Sequence, residues 1–124
     1  MDINRLCSYL LSFPGAVEER PFTPEIPVYK VKGKMFAYVS PDESPPRLTI
    51  KLDPLHGQLL RDAYDAVLPG YHMSKDHWNT VFLDGSIPED ELFTWIDESY
   101  QLVVDGLPAR LRRELADEHE GSEP

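Results

Sequence analysis

Cysteine occurs once in this 124-residue chain, at Cys7, so the chain can close no internal disulfide and build no multi-cysteine zinc site. That usage suits a reducing compartment, and the cytoplasm is the expected location. Long apolar runs are missing too. No stretch approaches the roughly 20 apolar residues of a membrane span, and the first residues do not join a basic segment to an apolar one as an export signal does. A soluble, unexported protein with no membrane partner is therefore expected. Basic residues are scarce, 12 Lys and Arg against 22 Asp and Glu, for a net charge of -10. Such a balance repels polyanions unless the charges are segregated along the chain.

They are segregated. From Glu114 to Pro124 there are five acidic residues and no Lys or Arg, in a segment with little to bury. Residues 117–124 read as an acidic disordered tail, and residues 1–116 as a single domain. Between Val28 and Lys51 the balance reverses, with Lys30, Lys32, Lys34, Arg47 and Lys51 set against Asp42 and Glu43.

The chain opens on a helix pattern. Asp2 can cap, and Ile3, Leu6, Cys7 and Leu10 recur at helical spacing until Pro14-Gly15. Cys7 lies on that apolar stripe and reads as a small core residue rather than a reactive thiol. Prolines 14, 21, 24 and 27 then hold the chain extended on its way to a sheet. Val28 to Lys32 alternates, Gly33 turns, and Lys34 to Ser40 returns as the second strand of a hairpin. After the polar loop Pro41 to Pro46, RLTIKL places Leu48, Ile50 and Leu52 on one face and the basic Arg47, Thr49 and Lys51 on the other. Asp53-Pro54 opens a helix with Leu59, Leu60, Ala63 and Val67 as its core stripe, ended by Pro69-Gly70.

The stretch HMSKDHWNT, from His72 to Thr80, is the densest in titratable groups. It lies between that Pro-Gly and a strand expected over Trp78 to Leu83, with a short strand near Tyr71 and a turn at Ser74 to Asp76. His72 and His77 are five residues apart, which puts them on opposite faces of a strand and apart around a helix. A shared metal, with Asp76 as third ligand, would need a special loop shape, so no metal site is assigned. Adjacent Asp76 and His77 cannot easily orient one another, and no Ser or Cys sits in a nucleophile-elbow context. The chain thus reads as non-enzymatic, with no catalytic residue and no cofactor.

The rest is helical. Ser86-Ile-Pro-Glu89 fits a capping box, and Thr94, Asp97, Glu98, Gln101 and Asp105 mark the wet stripe of a long helix. Leu92, Phe93, Trp95, Ile96, Tyr100, Val103 and Val104 form its core side, packed across the sheet. Gly106 ends it, and Pro108 starts a short last helix with Leu107, Leu111 and Leu115 inward and Arg110, Arg112 and Arg113 as a second basic patch.

In this order and spacing KVKGKMFAYV, LTIKLDP, LPGYHMSKDHWNTVFLDG, IPEDEL and SYQLV resemble the MmcQ/YjbR family, over nearly the whole chain to about Leu115. The resemblance implies an α+β fold, an antiparallel sheet packed by helices in a CyaY-like α-β(n)-α arrangement with two β-hairpin wings. It also implies a DNA-binding protein of double-wing type, with no established reaction or cofactor, in which HMSKDHW belongs to the scaffold of the second wing. The residues themselves offer Lys30, Lys32, Lys34, Arg47 and Lys51, with Trp78 as a stacking surface, as the nucleic-acid contacts. Asp42 and Glu43 in the wing loop depart from the basic tip such a wing would carry. The function expected is weak, largely sequence-nonspecific DNA binding. The alternative is a protein-interaction module whose basic face meets an acidic partner, with an enzyme of unknown class behind both. An iron role by analogy with frataxin-like folds lacks the dense acidic ridge it would need on the first helix.

Overall fold

The computed structural model describes residues 2–70, 74 and 76–121. The chain runs α1 (Ile3–Leu11), β1 (Ala16–Glu19), β2 (Val28–Val31), β3 (Lys34–Ser40), β4 (Arg47–Lys51), α2 (Pro54–Ala63), β5 (Val67–Pro69), β6 (Trp78–Phe82), α3 (Glu89–Asp105) and α4 (Ala109–Gly121). The strands form one antiparallel sheet of order β1-β2-β3-β4-β6-β5. This is the α+β architecture that the alternating and helical patterns predict.

Alternation decides which side of the sheet is covered. Tyr29 and Val31 of β2, Phe36, Ala37 and Val39 of β3, Leu48 and Ile50 of β4 and Val81 of β6 all turn to one side and are fully buried. α3 crosses β2, β3 and β4 on that side through Leu92, Trp95, Ile96 and Tyr100. α1 adds Leu6 and Leu10, α4 adds Leu115, and α2 is tied to the same side by an Arg61 to Asn79 hydrogen bond. Burying each large aliphatic or aromatic side chain contributes about 1.5–3 kcal/mol, so this layer dominates stability. Asp2 caps α1 by accepting from the Asn4 amide at 2.9 Å.

Two glycines are required by geometry. Lys32 and Gly33 form the two-residue turn between β2 and β3 with φ of 50° and 81°, a pair of left-handed residues that matches strand twist in a tight hairpin. Gly15, with φ 72°, turns α1 into β1 beneath Leu115, whose Cδ1 would lie 2.5 Å from any Cβ there.

Several sequence expectations are corrected. β2 ends at Val31, so Lys32 belongs to the turn rather than to the strand's basic face. β1 is a further strand, a short charged edge that the proline-rich reading passes over. α2 ends at Ala63, and Val67 lies in β5. Its inward side is Gly57, Leu60, Arg61 and Tyr64, because Gly57 lets the helix sit against the Asn79 side chain, and Leu59 is left 57% exposed. The capping box does not form: Ser86 bonds to Asp84, and Pro88 stands at the N-cap of α3 with no side-chain cap. α4 is longer than expected and continues through Asp117 and Glu118 to Gly121, with Glu118 paired to Lys32 on the hairpin. Residues 122–124 of the expected tail, the strand expected near Tyr71, His72 and Lys75 lie outside the described residues.

The wet stripe of α3 also makes specific bonds. The Tyr9 phenol donates to Asp97 and stacks on Phe93 at 4.2 Å. Burial first, and the Asp97 carboxylate second, push this phenol up to about 12. A raised folded-state value means its contribution to stability is complete below the ordinary tyrosine range near 10 and is lost as pH rises through about 12. In an alkaline absorbance titration, Tyr9→Phe is expected to remove one late-ionising phenol. A wild-type titration in which every tyrosine ionises together near pH 10 contradicts the assignment.

Candidate nucleic-acid interface

The side of the sheet opposite the helices carries Lys30 on β2, Tyr38 on β3, Arg47, Thr49 and Lys51 on β4, and Trp78, Thr80 and Phe82 on β6. Strand register sets them side by side. Tyr38 faces Thr49 and Thr49 faces Thr80; Arg47 faces Phe82 and Lys51 faces Trp78. Thr49 and Thr80 are buried in the floor, their hydroxyl oxygens 3.4 Å apart, as β-branched residues suit a pleated surface. Tyr38, Trp78, Phe82 and the three cations around them are half-buried. Phe22, from the proline-rich connection, meets Tyr38 edge-on at 6.0 Å and is 60% exposed. Among the described residues no helix lies on this side.

The charges on this face are partly matched within the chain. Lys30 Nζ is 3.0 Å from a Glu19 oxygen, and Arg47 is 3.9 Å from Glu43 in the loop between β3 and β4. The Arg47 guanidinium also lies 4.7 Å over the Phe82 ring, and its buried Nε donates to no acceptor among the described residues. Among the described residues Lys51 and Lys34 make no ion pair. The carboxylates of Glu19 and Glu43 are half exposed, and pairs of this kind contribute little in water and are screened by salt, so a phosphate can take their place.

The six residues singled out from the sequence therefore divide. Lys30, Arg47, Lys51 and Trp78 share the open face. Lys34 stands exposed at the hairpin end, opposite Val31. Lys32 is turned toward α4, where Glu118 Oε1 lies at 2.6 Å and Glu114 at 3.7 Å. The hydrogen bond it donates to Glu118 pushes the Lys32 ammonium up from its usual range. Asp42 and Glu43 keep the β3–β4 loop acidic, and Glu43 folds back toward Arg47. The second basic patch is also reduced, because Arg112 is spent on the Leu107 and Asp105 carbonyls at 2.6 and 3.2 Å, closing the C-terminus of α3.

Sequence reasoning missed Tyr38 and Phe82 as members of this face, although both stand in plain alternation with core residues. It also missed His56, whose Nδ1 is 2.7 Å from Glu98, while the other Glu98 oxygen accepts from the Asp53 amide at 3.0 Å. This cluster joins the start of α2 to α3, and nothing in the local sequence signals it. Tyr29, fully buried, donates to Glu18 at 2.8 Å; burial, more than either neighbour, pushes its phenol far up. Cys7 packs against the core but is only half-buried. Among the described residues no group of three or more His, Cys, Asp or Glu is arranged to hold a metal, and no described helix is long and apolar enough to cross a membrane. A cavity of about 260 Å³ opens where α3 begins, between Val81, Phe82, Leu83, Ile87 and Leu92, with Glu89 at its rim.

Comparison with known proteins agrees with this architecture. The family model for YjbR matches residues 11–102. The chain is 36% identical over 115 residues to the uncharacterized protein YjbR of Escherichia coli K12, covering 93% of this chain and 98% of that one. It is 41% identical over 90 residues to the uncharacterized protein YbdF of E. coli O157:H7, covering 73% and 74%. Among solved structures, a Deinococcus radiodurans protein with domain DUF419 superposes with a TM-score of 0.86 at 38% identity, over 92% of this chain and 87% of that one. A Pseudomonas syringae protein does so with a TM-score of 0.71 at 25% identity, over 82% and 98%. A match over most of the chain, in both sequence and fold, makes this protein a member of the YjbR family.

Proposed function

We propose that this protein is a non-enzymatic DNA-binding protein, weak and largely indifferent to sequence, which meets DNA with the uncovered side of its sheet. The observation that carries the reading is the convergence of Lys30, Arg47, Lys51 and Trp78 on one face that the four helices leave free. Cations on a sheet face bind phosphate without reading base edges, so they give affinity and little specificity. The acidic wing tip argues against insertion into a groove, which leaves the sheet surface as the contact. The net charge of -10 is compatible with this because much of it lies away from that face, on α3 and α4.

Fluorescence anisotropy with labelled DNA of mixed sequence tests the reading. Binding is expected at about 50 mM salt with micromolar protein, within the usual range for nonspecific binders. Lys30→Glu combined with Lys51→Glu is expected to weaken it at least tenfold on unrelated sequences, with an unchanged melting temperature. No binding under these conditions overturns the proposal.

A further inference from the structure

We infer that the open face takes a single strand of nucleic acid in preference to a duplex, its bases lying against Trp78, Phe82 and Tyr38 and its phosphates at Lys51, Arg47 and Lys30. This rests on the nucleic-acid reading above and names the form of ligand that the same face accepts. The argument begins with the register. Each aromatic residue of β6 that points to this side has a cation directly across from it on β4, Lys51 beside Trp78 and Arg47 beside Phe82. The pattern therefore supplies one ring and one positive charge together, and supplies them twice. A nucleotide presents the matching pair, a π-face and a phosphate.

Spacing and chemistry then favour an unpaired strand. Trp78 and Phe82 stand four residues apart on one strand, about 13 Å at the usual rise, and Tyr38 lies two strands away from the line joining them, roughly 10 Å across the sheet. Three separated rings around a threonine floor form a surface on which unstacked bases can lie. In a duplex the bases are stacked within the helix, so the rings would find no partner and only the cations would act. Stacking on aromatic side chains is tolerant of sequence because every base has a π-face. Phe22, 60% exposed at the edge of Tyr38, extends the apolar surface past β3. The wing loop with Asp42 and Glu43 borders the face at the Arg47 end and opposes the second backbone of a duplex more than it opposes one flexible strand. The Arg47 guanidinium rests over the Phe82 ring, and its buried Nε has no acceptor among the described residues; as Arg47 swings out to a phosphate, this donor and the ring face become available together.

The test uses the full chain and three labelled probes of the same mixed sequence: single-stranded DNA, single-stranded RNA and duplex DNA, at about 50 mM salt. At least tenfold tighter anisotropy binding to one of the single strands than to the duplex is expected, and the DNA and RNA arms say which sugar is preferred. Phe82→Leu and Trp78→Leu are each expected to lower single-strand affinity roughly tenfold, the order of one lost stacking contact, and to lower duplex affinity by a clearly smaller factor. Melting temperatures identify any variant that fails to fold, and Phe82→Leu, which keeps an apolar side chain under Arg47, stands as the second arm should Trp78→Leu do so. Equal or tighter binding to the duplex overturns the inference and leaves the DNA-binding proposal standing. Equal losses on single strand and duplex in both variants also overturn it. No binding to any probe removes both.

Discussion

Raising salt from about 50 to about 200 mM is expected to weaken nucleic-acid binding roughly 50-fold for a single strand and roughly 150-fold for a duplex. Those figures follow from about four phosphate contacts and a logarithmic salt slope near -0.7 per contact on single strands and -0.9 on duplex DNA. The four are Lys30, Arg47 and Lys51 on the face, and Lys34 at the hairpin end. Lys32 is left out because Glu118 and Glu114 already occupy its ammonium. Removing residues 117–124 while replacing Glu114 with Gln releases it, and Leu115, which anchors α4 in the core, is retained. That variant is expected to bind more tightly at every salt concentration and to steepen the slope by about one further contact. A slope near zero in the parent chain says that phosphates are not what the face holds. An unchanged slope in the truncated variant says that Lys32 stays out of reach even when free.

Ser99→Ala is expected to destabilise the fold by about 2–4 kcal/mol, although it removes a single oxygen. Ser99 is fully buried on α3; its hydroxyl donates to the Phe36 carbonyl at 2.5 Å and accepts from the Lys51 amide at 2.8 Å. The β3–β4 ladder stops at the Ala37 and Ile50 pair, and a register shift where β2 meets β3 leaves Phe36 outside both ladders. The hydroxyl thus bridges two backbone groups of neighbouring strands that would otherwise be unpaired in the core. Alanine strands both, and each buried group without a partner costs about 1–3 kcal/mol. Urea unfolding measures the loss. A change below about 0.5 kcal/mol means that the strands close up and bond directly without the serine. The same position matters for the interface, since the Lys51 amide is the group being held.

The elements that were legible in advance are those that local periodicity specifies. The α1 stripe of Leu6 and Leu10, the alternation of Leu48 and Ile50 against Arg47 and Lys51, and the apolar side of α3 each follow from a repeat of 3.6 or 2 within one segment, and burial enforces them. Because the period of a strand is two, placing Leu48 and Ile50 inward also placed Lys51 outward, and the same logic carried Lys30, whereas the face taken by Trp78 stayed open until the register was known. The boundaries of α2 and α4 were less legible, since what ends or extends them is a contact with a distant residue rather than a breaker. Gly57 sets the rotation of α2 only because Asn79 is brought beneath it, and the last turns of α4 meet Lys32 across a separation of 86 residues.

Taken alone, the sequence determined a sheet-and-helix fold of the YjbR type, its core side and the sign of the charge on the residues opposite that core. Tertiary structure decided what those charges do. A two-residue left-handed turn swung Lys32 away from Lys30 and into the acidic helix, while Glu19 and Glu43 reached Lys30 and Arg47 from separate segments. It also set Trp78 beside Lys51 and Phe82 beside Arg47, because antiparallel register joins strands separated by the whole of α2. An ion pair or a ring-and-cation pair depends on distances of a few ångströms between residues far apart in the chain, and periodicity within a segment carries no information about them.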